Sequence, residues 1–184
     1  MGDIDDALDR AGQEQFTREP PKTFKGRIDF LMRQLKTTRA VAAAIGVSQR
    51  SVERYIKGER KHPPQAITDR INTAVRERWQ PRVRQRARKN AAATGGITVE
   101  LRARFGYTAA GGSTDDARFR RLTVHLPAPY AQRLFDAQGQ DASDAAMRGI
   151  VAEGLQEVYF KDGGHRADGL EVELNDIDYI DVAF

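Results

Sequence analysis

Apolar residues in the first half of the chain recur every three or four positions, which is the spacing of a helix with one buried face. From Thr38 to Gly58 this spacing predicts two short helices that meet at Gly46. A glycine suits that corner because it adopts a left-handed backbone at little cost. Thr38 and Ser48 are placed to cap the two helices, since a hydroxyl can accept a hydrogen bond from a free backbone N–H. The pattern predicts a helix-turn-helix.

The second of these helices is predicted to turn its apolar side chains inward and its polar side chains outward. The outward positions are Gln49, Arg50, Ser51 and Arg54. Side chains of these types contact base edges and phosphates when a helix enters the major groove of DNA. The spacing resembles the phage-repressor branch of helix-turn-helix proteins over residues 23–60. An ordinary helical hairpin is the alternative to a DNA-binding motif.

A dense run of cations lies around Pro81, which is predicted to stop or kink the preceding helix. Between residues 76 and 89 the chain holds seven arginines and lysines and a single acid, Glu77. These charges repel one another unless a polyanion neutralises them, so the segment is predicted to follow DNA phosphates. The residues assigned to this contact are Arg82, Arg84, Arg86, Arg88 and Lys89. A solvated helix face is the alternative.

The pattern changes after a predicted linker at Ala91–Gly96, because apolar and polar residues then alternate as they do in strands. Two strands, two helices and a closing pair of strands are predicted, the last pair as a hairpin that turns at Asn175-Asp176. The predicted class is α+β overall: an all-α N-terminal helix-turn-helix domain, a basic helix and a small α+β C-terminal domain. The divisions are an acidic segment at 1–19, the helix-turn-helix DNA-binding domain at 20–80, the basic arm and linker at 81–96, and the α+β domain at 97–184.

Charge is distributed unevenly along the chain. The net charge is −4 over residues 1–19, +14 over residues 20–94 and −6 over residues 95–184. A basic segment between two acidic ones indicates a polyanionic partner for that segment. The chain has no cysteine, which excludes disulfides and thiolate chemistry. It also shows no signal-peptide pattern and no apolar run that could span a membrane, so a cytoplasmic protein is expected.

Two places in the second half carry side chains that could take part in chemistry. Asp176 and Asp178 are two residues apart, so on a strand they would share a face and could hold a divalent ion, although a solvated strand face is the favoured interpretation. The Gly106–Ala117 stretch is predicted to be a flexible loop whose hydroxyls are those of Tyr107, Thr108, Ser113 and Thr114. By residue pattern alone, residues 113–116 most simply predict a turn or a helix cap. A self-sufficient enzyme is not predicted, because no lysine-bearing phosphate loop or nucleophile elbow is present.

Four stretches closely resemble the telomere terminal proteins of linear Streptomyces-type replicons: MGDIDDAL, RWQPRVRQRAR, RARFGYTAAGGSTDDARFRRLT and EGLQEVYFKDGGHRADGLEVELNDIDYI. The resemblance implies a protein that primes DNA synthesis at a replicon end and stays covalently attached to the 5′ end through a side-chain hydroxyl. It places that hydroxyl on Thr114, in the GGSTDD stretch, with Ser113, Thr108 and Tyr107 as successive fallbacks.

The same resemblance implies the partners and the location. The partners are telomeric DNA with its single-stranded 3′ overhang, a telomere-associated binding protein and a DNA polymerase, at chromosome ends in the nucleoid. The chain would bind no cofactor of its own, and divalent metal and deoxynucleotide would come with the polymerase. Two alternatives remain open. One is a helix-turn-helix transcriptional regulator with a C-terminal dimerisation or sensing domain, and the other is a transferase that nucleotidylates itself through its tail carboxylates.

Overall fold

The computed structural model describes residues 2–109, 112–116, 118–161 and 169–184. It divides into two compact units: a helical unit, Phe16–Val83, and a sheet unit, Met1–Gln15 together with Arg84–Phe184. In chain order the described elements are α1 (Asp3–Glu14), α2 (Phe24–Leu35), α3 (Thr38–Ile45), α4 (Gln49–Ile56), α5 (Gln65–Arg78), α6 (Pro81–Asn90), β1 (Ile97–Ala109), β2 (Gly112–Asp115), β3 (Arg120–Leu126), α7 (Ala128–Gly139), α8 (Asp144–Leu155) and β4 (Glu171–Ala183). The α+β class is confirmed.

The helical unit has a single apolar core to which α2, α3, α4 and α5 all contribute. Its fully buried side chains are Ile28, Leu31, Val41, Ile45, Val52 and Ile71. The chain turns between α3 and α4 at Gly46, whose φ of 63° is left-handed. Ser48 caps α4 by accepting a hydrogen bond from the Ser51 N–H at 3.2 Å, as the sequence predicts. The periodicity therefore located both helices and the corner between them.

One predicted cap is wrong. Thr37, and not Thr38, caps α3: its backbone is extended, and its hydroxyl accepts a hydrogen bond from the Ala40 N–H at 3.1 Å. Thr38 is the first residue of α3 and already has helical geometry. Two adjacent threonines carry the same capping chemistry, so the sequence could not distinguish them.

The predicted break at Pro81 is present. Helix α5 ends at Arg78, Gln80 adopts a positive φ of 43°, and Pro81 begins α6. The Trp79 side chain holds the end of α5 in place within the helical unit, because its indole N–H donates a hydrogen bond to the Arg18 carbonyl at 2.9 Å. Its ring also packs edge-on against Phe30, with ring centroids 5.0 Å apart.

The sheet unit is built around β1. Strand β4 pairs antiparallel with β1 along one edge, and β3 and then β2 pair antiparallel along the other. One face of the sheet packs on α1, α7 and α8, and the fully buried β1 residues on that face are Ile97, Val99, Leu101, Ala103 and Phe105. Of the alternate β1 residues, Arg102 and Arg104 are exposed, and Thr98, Glu100 and Thr108 are half-buried.

The N-terminal acidic segment is part of this unit, so the division differs from the predicted one. Helix α1 buries Ile4, Leu8 and Ala11 in the core of the sheet unit. It also contacts β4, where the Arg10 guanidinium donates to the Ile180 carbonyl at 2.8 Å. The unit boundary falls between Val83 and Arg84, inside the predicted basic arm. Of the acids on α1, Asp3, Asp6 and Glu14 are exposed, whereas Asp5 and Asp9 are half-buried.

Two further predictions are corrected by the structure. The expected linker at Ala91–Gly96 is a π-helical turn, Ala91–Gly95, in which Ala91 is buried against the core. The tail is one continuous strand, β4, and not a hairpin. Its register with β1 shifts twice, so that Asn175 and Asp178 are the extra residues of two β-bulges. The polar residues that suggested a turn produce bulges because β1 is long enough to pair with the whole tail.

None of the helices in the described residues combines the length and the apolar character that crossing a membrane requires.

Candidate functional site

The stretch that carries Thr114 is a β-hairpin, and the expectation of an irregular loop is corrected. Tyr107 pairs with Thr114, Thr108 with Ser113 and Ala109 with Gly112. The alternation of β1 continues past Phe105, which is why the strand extends into the predicted loop. Gly111, expected to lend freedom to this stretch, lies outside the described residues.

The four candidate hydroxyls occupy different environments. Thr108 and Ser113 are directly opposite each other and their hydroxyl oxygens are 3.0 Å apart, so they hydrogen-bond to one another. The Tyr107 hydroxyl is buried and has no hydrogen-bond partner in the part of the chain that the structure describes. Thr114 is exposed. Of the four candidates, Thr114 presents its hydroxyl most freely to a reactant.

Asp116 stabilises the base of the hairpin through three hydrogen bonds. Its N–H donates to the Phe105 carbonyl at 2.8 Å. Its carboxylate accepts from the Arg118 N–H at 3.0 Å and from Arg120 Nε at 2.7 Å. The Arg118 N–H and the Arg120 side chain hold the pKa of Asp116 below its usual range. Asp116 is therefore a structural anion two residues from Thr114.

Arg120 connects this anion to Tyr107. Its guanidinium carbon lies 5.9 Å from the centroid of the Tyr107 ring. Burial raises the pKa of Tyr107, so the phenol stays protonated at neutral pH. The ring also meets Phe160 edge-on, with centroids 5.5 Å apart. Tyr107 is thus a half-buried aromatic whose ring packs beside the hairpin.

The tail carboxylates each lie beside an arginine of β1. Asp178 forms an ion pair with Arg102, at 2.5 Å from Asp178 Oδ2 to Arg102 Nη1, and Asp176 lies opposite Arg104 in the strand register. Both carboxylates therefore lie beside arginines of the exposed face of β1. No group of three or more potential metal-binding side chains is found among the described residues.

The polar face of α4 is exposed as predicted. Gln49, Arg50 and Arg54 are exposed and Ser51 is half-buried. The Gln49 amide donates to Glu53 Oε1 at 3.2 Å, and Arg54 Nε lies 3.5 Å from Glu59 Oε2. Two of the predicted contact residues are therefore held by acids on or near the same helix.

The cations of α6 divide into two sets. Arg82, Arg86 and Lys89 are exposed, and their spacing of four and three residues puts them on one face of the helix. Arg84 and Arg88 are half-buried. The predicted run is therefore not a uniform solvated face.

Arg88 is engaged within the sheet unit. Its Nη2 lies 2.6 Å from Gln138 Oε1 and 3.4 Å from Asp9 Oδ1, and its guanidinium carbon lies 5.4 Å from the Phe135 ring centroid. Burial lowers the pKa of Arg88 and raises that of Asp9. The assignment of Arg88 to DNA is at odds with these contacts.

The sequence interpretation missed these partners of Arg88, and it treated Asp116 only as a charge that steers or solvates the hairpin. The spacing of Asp116 and Arg120, an acid four residues before an arginine, was visible but suggested a helix and not a strand connection. No protein-family model matches the chain, and no curated protein or solved structure matches it either.

Proposed function

We propose that this chain is a DNA-binding terminal protein that primes DNA synthesis at the end of a linear replicon and stays attached to the 5′ end through Thr114. The observation that carries the proposal is the contrast among the hairpin hydroxyls. Thr114 is exposed near the end of the sheet, whereas Thr108 and Ser113 bond to each other and the Tyr107 hydroxyl is buried. A polymerase active site can receive only a hydroxyl that projects from its carrier.

In this reaction Thr114 Oγ1 attacks the α-phosphorus of a deoxynucleoside triphosphate. A bond forms between Oγ1 and phosphorus, the bond from that phosphorus to the bridging oxygen breaks, and pyrophosphate leaves. A threonine hydroxyl is a weak nucleophile at neutral pH. The polymerase would therefore take up the hydroxyl proton and would use its metal ions to align the oxygen with the α-phosphorus. The chain itself acts as the nucleotide acceptor, without a cofactor of its own.

The hairpin supports this role through rigidity at its base. Asp116 is held by Arg118 and Arg120, and its N–H extends the ladder to Phe105. A fixed base with an exposed side chain reduces the number of arrangements that the polymerase must select, which favours the attack geometry.

In this proposal the helix pair α3–α4 is a helix-turn-helix that holds the protein on telomeric DNA. Helix α4 is capped by Ser48 and presents Gln49, Arg50 and Arg54 to solvent. On α6 the exposed cations Arg82, Arg86 and Lys89 would add contacts to phosphates. The single-stranded overhang, a telomere-associated protein and the polymerase complete the proposed assembly.

The two alternatives differ in what they require. A transcriptional regulator would use the same helix pair but would carry no nucleotide. Self-nucleotidylation through the tail needs Asp176 and Asp178 to act together, and the Arg102–Asp178 ion pair argues against this.

The test is whether a nucleotide is attached to Thr114. The protein from cells containing its replicon is digested with nuclease and phosphodiesterase, and its peptides are weighed. A residual nucleotide on Thr114, lost in Thr114→Ala and retained in Thr114→Ser, is the expected result. Ser113→Ala is the matched control, because it changes the neighbouring hydroxyl and should leave the attachment intact. Attachment in Thr114→Ala would contradict the assignment, and an unmodified wild-type protein would favour the regulator.

A further inference from the structure

The solvent face of the sheet carries an aromatic ring packed against two arginines. The guanidinium carbons of Arg102 and Arg104 lie 4.8 and 4.6 Å from the centroid of the Phe119 ring. Both arginines are exposed and alternate with the buried Leu101, Ala103 and Phe105, so they lie on the face of β1 opposite the one that packs on α1, α7 and α8.

A second aromatic lies on the same face. Tyr179 pairs with Arg102 in the strand register, and its hydroxyl donates to Glu100 Oε1 at 3.0 Å. Arg121 donates to the same Glu100 oxygen and its guanidinium carbon lies 6.0 Å from the Tyr179 ring centroid. Phe119, Tyr179 and the three arginines around them form one surface, which we call the arginine–aromatic face.

Two of the three arginines on this face are paired with carboxylates. Arg102 pairs with Asp178 and Arg121 pairs with Glu100. Arg104, by contrast, has no carboxylate within ion-pair distance in the described part of the chain. The two paired arginines are held in place by their acids. Asp176 lies opposite Arg104 but forms no ion pair with it, so Arg104 remains available to an external anion.

These features suit unpaired nucleotides. Flat guanidinium and aromatic groups stack on the faces of bases, which are accessible in a single strand and hidden in a duplex. A cation beside the stacking groups meets the phosphates that connect those bases. The β4 acids on this face, Glu171, Glu173, Asp176 and Asp181, repel a polyanion, and Asp176 lies directly opposite Arg104. A strand is therefore favoured on the side of β1 away from β4, where Phe119 leads into β3.

We propose that the arginine–aromatic face binds single-stranded DNA by stacking bases on Phe119 and Tyr179 and by pairing a phosphate with Arg104. Thr108 and Ser113, two residues of the priming hairpin, share this face with Arg104 through the alternation of β1 and the pairing with β2. The inference rests on the proposed function only for the identity of the strand, which is the 3′ overhang that templates the first nucleotide. Binding of a single strand as such is tested independently.

The experiment measures binding of the full chain to a labelled oligothymidylate of about 16 nucleotides and, separately, to a mixed-sequence duplex of equal length. Phe119→Leu retains apolar bulk but removes the ring, and should weaken oligothymidylate binding about tenfold. Arg104→Gln should weaken it several-fold and reduce the salt slope by about 0.7, the value for one phosphate of a single strand. Neither variant should change duplex binding.

Arg133→Gln is the matched control. Arg133 also joins a carboxylate to a ring, because it binds Glu153 at 2.8 and 2.7 Å and lies 5.6 Å from the Tyr130 ring centroid. It lies on α7, away from β1's exposed face, and its replacement should leave oligothymidylate binding unchanged.

Three results would overturn the inference. The first is a wild-type protein that does not bind oligothymidylate, and the second is equal affinity in Phe119→Leu, Arg104→Gln and the control. The third is a loss of self-association in the variants with unchanged oligothymidylate binding, which would identify a protein contact. If Phe119→Leu unfolds, the exposed Arg104 still tests the surface. Failure of nucleotide attachment at Thr114 with a positive result here would contradict the proposed function alone.

Discussion

Tyr107 and Thr114 are cross-strand partners at the end of the sheet, and their side chains therefore lie on the same face of the hairpin. Their hydroxyls nevertheless differ in access: Thr114 is exposed, and the Tyr107 hydroxyl is buried. The Tyr107 ring packs against Arg120 and Phe160. The tyrosine supports the strand opposite the threonine. Sequence alone offered both as acceptors, and their burial now separates them.

Tyr107→Phe should leave nucleotide attachment unchanged. The Tyr107 hydroxyl has no hydrogen-bond partner among the residues that the structure describes, so its removal leaves no donor or acceptor unsatisfied. We expect the free energy of unfolding to rise by about 0–1 kcal/mol, since a buried polar group without a partner is unfavourable. Urea unfolding and a nucleotide-attachment assay measure the two outcomes. Loss of nucleotide attachment in a folded Tyr107→Phe variant would indicate that Tyr107 is the nucleotide acceptor.

Arg50→Ala should weaken duplex binding about tenfold without unfolding the helical unit. Arg50 is exposed on α4, outside the core of the unit, and an arginine contact to a base or phosphate contributes about 1–3 kcal/mol. Arg33→Ala, a change of the same charge at an exposed position on α2, is the control and should bind normally. Unfolding of Arg50→Ala would show that the orientation assigned to α4 is incorrect.

Glu53→Gln should have the opposite effect on duplex binding. Glu53 lies on the same exposed side of α4 and accepts a hydrogen bond from Gln49 at 3.2 Å. Its replacement removes a negative charge from the face that would meet phosphates and releases the Gln49 amide. Binding several-fold tighter at low salt, with the gain shrinking as salt is added, is the expected result. A weaker complex would mean that the Gln49–Glu53 contact orients the helix for binding.

The helix periods and the strand alternation were enough to predict the α+β class and most element positions. Each buried face repeats a simple spacing, as in Ile97–Phe105, and this spacing can be read from the sequence without knowledge of distant contacts. Caps and breaks at Ser48 and Pro81 were also predictable, because they depend on one residue and its immediate neighbours.

The failures involve contacts between distant parts of the chain. Helix α1 joins the sheet unit because it packs on β4, more than 150 residues away in the sequence, and no local pattern encodes that choice. The tail forms one continuous β-strand, β4, because β1 is long enough to pair with all of it. The polar residues inside β4 did not indicate this. The candidate site was affected in the same way, since the Tyr107 ring packs against Phe160, which is distant in the sequence.

Arg86→Gln and Arg88→Gln should separate DNA contact from folding on α6. Arg86 is exposed, so its replacement should reduce the slope of log affinity against log salt by about 0.9 for one duplex phosphate, with unchanged stability. Arg88→Gln removes the cation that bridges Asp9 and Gln138, and should cost about 1–3 kcal/mol of unfolding free energy. Salt titrations of duplex binding and urea unfolding measure the two effects. Equal salt slopes in Arg86→Gln and the wild type would mean that α6 does not contact DNA.

Acid should weaken the sheet unit partly through Asp116. Its pKa is held below the usual value by the Arg118 N–H and by Arg120, so the folded state favours the carboxylate more than the unfolded chain does. The stability that this preference contributes is present above a pH of about 4, the ordinary pKa of an aspartate, and is lost as the pH falls through the lowered pKa.

Glu100 and Glu153 also have lowered pKa values and act in the same direction, whereas the raised pKa of Asp9 acts in the opposite direction. The contribution of Asp116 is therefore isolated by comparing the wild type with Asp116→Asn. Between pH of about 5.5 and about 3, urea unfolding followed through the amide signals of β1 should show a larger loss of stability in the wild type than in the variant. An equal loss in both proteins would mean that the Asp116 contacts at the base of the hairpin do not contribute to its stability.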